Sequence, residues 1–317
     1  MDSKKYLSIV IPVFNEEKNI SILYREIISV LDQTGSNSSE VIFVNDGSTD
    51  TSETVVKELS KQNRNVKLVS FRTNYGQTAA LSAGIDHSAG DIIILMDGDL
   101  QNDPRDIPKL LDKLGYGFDV VSGWRKNRID KRLTRIVPSK IANWLISRIS
   151  GVKLHDYGCT IKAYRREFIK DVRLYGEMHR FIPILIAQQG GKIAELEVNH
   201  RPRRFGQTKY GLNRTFKVIS DLIFLKFVGK YSTTPIHLFG GFGLINFLLS
   251  FLTFTLMVYL KYWGGITFIE TPLPQLLVLF FLIGILSLFM GFNAEILMRT
   301  YHESQGKRTY QIREIVN

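Results

Sequence analysis

The residues with the clearest chemistry are Asp97, Asp99 and Gln101, in the stretch Asp97-Gly98-Asp99-Leu100-Gln101. Two carboxylates and an amide oxygen at alternate positions point the same way if the segment is extended. Such a donor set suits a hard cation, Mg2+ or Mn2+, that keeps sites open for phosphate oxygens. Gly98 between the acids lets a ligand approach the backbone. A bare Asp-x-Asp is also an ordinary polar turn, so its setting decides. Ahead of it runs Ile92-Ile93-Ile94-Leu95-Met96, five apolar residues that read as a strand buried on both faces of a parallel sheet. Carboxylates at the carboxyl end of such a strand stand where open α/β sheets bind ligands.

The elements that must position these acids alternate along the chain. Residues 6–13 form a β-type run, and Asn15 is placed to cap a helix that reaches Gln33. Val41-Ile42-Phe43-Val44 reads as a second buried strand that closes on Asn45-Asp46-Gly47-Ser48-Thr49-Asp50, a turn and cap cluster. A helix to Lys61, a strand over 66–70 and a helix over 77–88 follow. After Gln101 come a short helix near 108–113, a strand over 119–123, and the basic segment 126–135. Residues 136–149 are amphipathic. His155-Asp156-Tyr157-Gly158-Cys159 opens a strand through Tyr164, and 193–198 is a last strand before Arg201, Arg203 and Arg204. This alternation predicts an α/β domain with a mostly parallel, right-handed sheet.

The chain has 317 residues, a net charge of +11, and one cysteine, Cys159. One cysteine excludes an internal disulfide and fits a reducing compartment. The basic balance fits anionic lipid, a phosphorylated substrate or nucleic acid. No Asp, Glu, Lys or Arg occurs over 231–260 or over 271–294, and each run is long enough to cross a bilayer, about 20 residues. Residues 212–230 read as an interfacial helix with a basic polar face on an anionic leaflet. Positive charge on the far sides of both runs predicts a hairpin with both termini in the cytoplasm. The expected division is a catalytic domain over 1–211, the juxtamembrane helix over 212–230, two spans over 231–298 and a cytoplasmic tail over 299–317. No signal peptide is expected before the first strand.

Several segments taken in order carry a resemblance. Ile9-Val10-Ile11-Pro12-Val13-Phe14-Asn15-Glu16, Val44-Asn45-Asp46-Gly47-Ser48-Thr49-Asp50 and Asp97-Gly98-Asp99-Leu100-Gln101 resemble the inverting glycosyltransferases of family two with a GT-A (Rossmann-like) fold. Asp156-Tyr157-Gly158-Cys159 and Arg204-Phe205-Gly206-Gln207-Thr208-Lys209-Tyr210 resemble the polyprenyl-phosphate hexosyltransferases, which include dolichyl-phosphate mannose synthases. The two apolar runs resemble those of bacterial bactoprenol glucosyltransferases of O-antigen glucosylation. No Gln-x-x-Arg-Trp motif of processive synthases occurs.

The resemblance implies roles. Pro12, Phe14, Glu16 and Asp46 would line the nucleotide pocket. Asp97 would lie on the nucleotide side of the acid pair, and Asp99 and Gln101 would hold Mg2+ or Mn2+ on the donor diphosphate. Arg203 and Lys209 would contact that diphosphate. Arg125, Arg135 and Ser139 would receive the lipid phosphate, and Asp156 would be the carboxylate near the reaction centre. The implied reaction moves glucose from UDP-glucose to undecaprenyl phosphate at the inner face of a bacterial plasma membrane. The same reaction with GDP-mannose or a UDP-aminosugar is the alternative. A phosphomonoester acceptor is largely a dianion at neutral pH, with a second pKa of about 6, so it needs positive charge more than a general base. Two spans per chain could also associate into a homo-oligomer. A silent scaffold has no use for both acids, and no recognition motif supports a nucleic-acid binder.

Overall fold

The computed structural model describes residues 6–33, 38–126, 137–205, 235–303 and 312–316. They fall into two compact units, one holding the N-terminal part of the chain together with the last strand, the other holding the two long apolar helices.

The first unit is built on an eight-stranded sheet in the order β7-β5-β6-β4-β1-β2-β3-β8. Its strands are β1 Leu7–Val13, β2 Ser39–Asn45, β3 Val66–Phe71, β4 Ile92–Leu95, β5 Val120–Trp124, β6 Lys162–Arg165, β7 Ile193–Glu197 and β8 Ile312–Val316. β1 pairs in parallel with β2 and β4, and β5 with β7. β6 and β8 run antiparallel to their neighbours, so the sheet is mixed. β8 is an element the sequence reading leaves inside a tail. Its five residues, with Arg313 and Glu314 between Ile312 and Ile315, give no continuous apolar run, and pairing on the β3 edge defines it.

Alternation sorts the strand residues to two faces. Ile9, Ile11, Ile92 and Ile94 enter one core with Ile20, Leu23, Ile27 and Leu31 of α1 (Glu17–Gln33) and Leu110 and Leu114 of α4 (Ile107–Gly115). The helix positions recur at three- and four-residue spacing, which makes one apolar stripe. On the other face α3 (Gln77–His87) lies so close that a Cβ on Gly84 would stand 2.1 Å from Val10 Cγ1 and 3.2 Å from Val44 Cγ2. The small residues of α3 therefore set how near the helix comes to β1 and β2. The remaining helices of this unit are α2 (Ser52–Gln62), α5 (Val137–Ser150), α6 (Arg166–Ile169) and α7 (Ile182–Gln188).

Two local expectations change. Asn15 takes a left-handed φ of 56° and does not cap α1; its Oδ1 accepts from Thr49 N at 2.8 Å and so ties the end of β1 to the loop after β2. Residues 155–161 are irregular rather than the start of a strand, because hydrogen bonds within and onto that turn replace ladder bonds, as described below.

The second unit pairs α8 (Pro235–Trp263) with α9 (Leu273–Glu303). Leu238–Trp263 and Leu273–Ala294 are long and apolar enough to cross a membrane, with mean hydropathy 1.9 and 2.4. Small residues bring the pair together: a Cβ on Gly243 would meet Gly284 O at 3.0 Å, and one on Gly284 would meet the Phe247 ring at 2.8 Å. Ser250 Oγ donates across the pair to Leu277 O at 3.1 Å. The expected interfacial helix over 212–230 lies outside the described residues.

Candidate active site

The carboxyl ends of β1, β2, β4, β5 and β7 share one edge of the sheet. Because β6 runs against β4 and β5, the turn before it opens at that same edge. Pro12, Phe14 and Glu16 stand at the end of β1, Asp46 after β2, Asp97, Asp99 and Gln101 after β4, and Arg125 after β5. Asp156 precedes β6, and Arg203 follows β7. This is the edge at which open α/β sheets bind ligands. Arg135, Lys209 and the side chain of Ser139 lie outside the described residues.

Both acids follow β4, but the strand does not continue through them. β4 ends at Leu95, and the chain turns through Leu100, whose φ of 63° is left-handed. A non-glycine residue in that region costs about 1–3 kcal/mol, which the surrounding contacts hold in place. Asp99 Oδ1 accepts from Gln101 N at 3.1 Å, and Asp97 N donates to Asn102 Oδ1 at 3.1 Å. Gly98 packs against β1: a Cβ there would meet Val13 Cγ1 at 3.0 Å and Pro12 O at 3.1 Å. Its smallness therefore serves strand packing before any ligand.

A cation is seated on this acid group. Arg203 Nη2 lies 2.6 Å from Asp99 Oδ2 and 3.5 Å from Gln101 Oε1. The neighbouring segment explains its reach. Asn102 and His200 form a β-bridge, Arg201 N donates to Gln101 O at 2.9 Å, and the Arg201 side chain grips Asp103 and Glu26 at 2.5 and 2.6 Å. Among the described residues no group of three or more His, Cys, Asp or Glu side chains forms a metal cage. Asp99 and Gln101 nevertheless present acceptors to one positive group, and a hard ion that keeps water and phosphate ligands needs no closed cage.

The nucleotide-side candidates are tied into the scaffold. Asp46 is 4 % exposed and accepts from Tyr75 N at 2.7 Å, Gly76 N at 3.0 Å and Asn74 Nδ2 at 3.0 Å, so it shapes the loop that leads into α3. Gly47 beside it needs its hydrogen side chain, with φ 70° and Thr73 C only 2.5 Å from any Cβ. Glu16 is buried; its N donates to Ser52 Oγ at 2.9 Å and its carboxylate accepts from Asn19 at 2.5 Å. Pro12 and Phe14 are half-buried.

Arg125 and Asp156 are brought together as a fork: Nε to Oδ2 at 2.7 Å and Nη2 to Oδ1 at 3.0 Å. Burial works against the Arg125 charge, but the Asp156 carboxylate outweighs it and holds the guanidinium pKa above its ordinary value. The Asp156 turn is fixed from below. Glu195 Oε1 on β7 accepts from His155 N at 2.8 Å and Asp156 N at 3.1 Å, and Asp156 Oδ1 accepts from Gly158 N at 3.1 Å.

Sequence reasoning missed several members of the site. Gln77 at the start of α3 donates to Asp97 Oδ1 at 2.8 Å. Glu195 anchors the turn, and Lys162, His179 and Arg180 lie around it. Only Lys162 carried a signal, a lysine inside the otherwise apolar run Ile161–Tyr164. The others are joined to the acids by tertiary contacts with no trace in local spacing.

The family described as Glycosyl transferase family 2 matches residues 8–173. The chain belongs to glycosyl transferase family 2. Along nearly its whole length it is 41 % identical, over 313 residues, to the dodecaprenyl-phosphate galacturonate synthase of Rhizobium johnstonii, covering 98 % of this chain and 92 % of that one. It is 34 % identical, over 314 residues, to the undecaprenyl-phosphate 4-deoxy-4-formamido-L-arabinose transferase of Edwardsiella ictaluri, covering 98 % and 94 %. Glucosyl-3-phosphoglycerate synthase of Mycobacterium tuberculosis, solved with Mn2+ and UDP-glucose, shares the fold at a TM-score of 0.55 and 20 % identity, over 71 % of this chain and 79 % of that one. The first unit of this family 2 enzyme is thus a GT-A fold.

Proposed function

We propose that this glycosyltransferase moves a sugar from a UDP-sugar to a polyprenyl phosphate, with inversion at the anomeric carbon. The observation that carries the reading is the arrangement of one sheet edge, where Asp99 and Gln101 after β4 face Arg203 and the Arg125–Asp156 pair joins the segments after β5 and before β6. The names of the two relatives, both acting on prenyl phosphates, support the acceptor class.

In this reading Asp99 and Gln101 hold Mg2+ or Mn2+, with Asp97 on the nucleotide side. The ion neutralises charge on the departing diphosphate. Pro12, Phe14, Glu16 and Asp46 line the nucleotide pocket. Arg203, which is paired with Asp99 here, would with Lys209 contact the diphosphate. Arg125, Arg135 and Ser139 receive the acceptor phosphate. Arg125 does so while it orients Asp156, because two of its nitrogens are committed and Nη1 is not part of the fork. Two anions must meet at the reaction centre, so the basic residues lower the barrier by stabilising charge. Asp156, fixed by Glu195 and Arg125, stands ready to orient the acceptor or to stabilise the sugar cation.

The helices α8 and α9 cross a bacterial inner membrane and bring the crevice to a leaflet where the prenyl tail can stay in lipid, which raises the encounter rate by proximity. Return of the chain to the sheet as β8 supports two crossings, with both termini on the cytoplasmic side where nucleotide sugars are made. The donor sugar is the open term. Glucose is the sequence expectation, whereas the relatives' names carry galacturonate and 4-deoxy-4-formamido-L-arabinose. The test is a panel of radiolabelled UDP-sugars offered with undecaprenyl phosphate to the purified protein. A labelled lipid from at least one donor supports the reading, and label that stays water-soluble with every donor sinks it.

A further inference from the structure

The turn before β6 also carries an imidazole. His155 Nδ1 lies 2.7 Å from Glu195 Oε2, while Glu195 Oε1 accepts from the backbone N–H groups of His155 and Asp156. A carboxylate only accepts, so Nδ1 carries the proton in this contact. The ring is stacked on Trp124 at the end of β5, with centroids 4.3 Å apart and planes 19° from parallel. One nitrogen and one face of the ring are thus committed, and its direction is fixed. Nε2 is not committed: it has no hydrogen bond among the described residues, and the side chain is 68 % exposed. A carboxylate that orients an imidazole by Nδ1 and leaves Nε2 outward is the arrangement that lets histidine hold or pass a proton.

The ring lies on one side of the site. In the sheet β6 stands between β4 and β5, and β7 lies beyond β5. The acids Asp97 and Asp99 follow β4, whereas His155 leans the other way, onto Trp124 of β5 and Glu195 of β7. In the transfer reading the diphosphate belongs to the β4 acids. Inversion brings the acceptor from the side opposite to it, here the side of β5 and β7.

The charged groups on that side are matched. Arg125 pairs with Asp156 at 2.7 Å, and Lys126 pairs with Glu197 at 2.6 Å while its Nζ lies 5.4 Å from the Trp124 ring centre. His155 with Glu195 is the third pair, and its cation is the one whose charge can come and go near neutral pH. A ligand that also titrates near neutrality fits such a group, because the two can share one proton. A phosphomonoester does so. A phosphodiester has no second proton to share.

We propose that His155 is a ligand of the acceptor phosphate, with one proton shared between Nε2 and an oxygen of the phosphomonoester while Glu195 holds Nδ1–H. In transfer, another oxygen of that phosphate forms the bond to the anomeric carbon as the bond from that carbon to the diphosphate oxygen breaks. The diphosphate leaves with the electron pair, and the shared proton stays on Nε2. The product is a phosphodiester that holds this proton more weakly, so the contact loosens as the product forms. This inference rests on the sugar-transfer reading above.

The test is calorimetric titration of the full-length protein in detergent, without donor, using farnesyl phosphate, farnesol and inorganic phosphate. At pH 7 His155→Gln should bind farnesyl phosphate about tenfold more weakly than the wild type, the lower end for a charge-assisted hydrogen bond. The position is exposed, so the substitution spares the fold, and farnesol should bind both proteins alike. Raising the pH to about 9 should weaken the wild type until the two agree, because no proton is left to share. A residue that only fastens the turn would give a gap independent of pH. Equal affinities at pH 7, or a gap that persists at pH 9, overturn the proposal. Inorganic phosphate bound as tightly as farnesyl phosphate would put a free anion at His155 instead of a lipid headgroup, and overturns it too. Wild-type protein that binds no farnesyl phosphate at all overturns the acceptor reading itself, which separates the two failures.

Discussion

Arg125 and Asp156 face each other as a two-pronged ion pair, with side chains only 13 % and 4 % exposed. Removing one partner of such a pair leaves the other charge buried, a loss of about 3–5 kcal/mol. Arg125→Ala should therefore lower the melting temperature and the transfer rate together. Arg125→Lys should restore part of the stability, since one ammonium cannot fill both prongs. The double variant Arg125→Met, Asp156→Leu should regain stability without regaining transfer. Differential scanning fluorimetry beside a transfer assay checks this, and an active double variant would show that the pair is scaffold only.

The Arg203 guanidinium occupies the acceptors of Asp99 and Gln101, so an ion held there, as proposed, would have to displace it. Freed of that competitor, Arg203→Gln should bind Mn2+ about tenfold more tightly in the absence of nucleotide, because the competent state is no longer a minor fraction. The same variant should raise the KM for the donor, since the diphosphate loses a charged contact. Mn2+ titration followed by electron paramagnetic resonance reads the first effect. Unchanged Mn2+ affinity would mean that the contact does not guard the ion site.

Much of this was legible beforehand, for identifiable reasons. The strands 41–44, 66–70 and 92–96 and the helices 77–88 and 16–33 announce themselves by apolar runs and spacing, and they agree with β2, β3, β4, α3 and α1 to within a few residues. The place of Asp97 and Asp99 at the carboxyl end of β4 was legible too, but not the path of the chain there, because the left-handed Leu100 is set by packing and leaves no mark in composition. The antiparallel β6 was not legible, since strand direction depends on how the chain returns after α5. Glu195 and Gln77 were invisible because their partners lie 39 and 20 residues away.

Glu40 is 1 % exposed and is held by Lys67 at 2.7 Å, Ser8 at 2.5 Å and Ala89 N at 2.6 Å. Burial alone would raise its pKa, but these partners outweigh it and the pKa falls below the ordinary 4.5. A carboxylate depressed in the folded state stabilises above its unfolded pKa, and that stability is lost as pH falls through the folded value. Glu40→Gln should therefore cost about 1–3 kcal/mol at pH 7. The gap from wild type should close once pH drops below the folded pKa, under 4.5. Urea melts at both ends of that range decide it, and a gap independent of pH would remove the charge from the account.

Placement of β8 against β3 returns the chain to the sheet after α8 and α9. In intact cells a membrane-impermeant maleimide should label Gly264→Cys between the two helices and leave Asp50→Cys and Glu314→Cys unlabelled. Background is low, because the native Cys159 is buried. Labelling of Asp50→Cys with protection of Gly264→Cys would put the catalytic edge on the side that lacks nucleotide sugars.

The central claim is that Asp99 and its neighbours carry an ion that serves sugar transfer to a prenyl phosphate. The most direct measurement is the mass of the lipid formed from undecaprenyl phosphate and the accepted UDP-sugar, before and after EDTA, with Mn2+ added back, for wild type and Asp99→Asn. The account predicts a product heavier by one sugar residue from the wild type, its loss in EDTA, its return with Mn2+, and no return for Asp99→Asn at unchanged melting temperature. Undiminished product in EDTA, or full activity of Asp99→Asn, would contradict it.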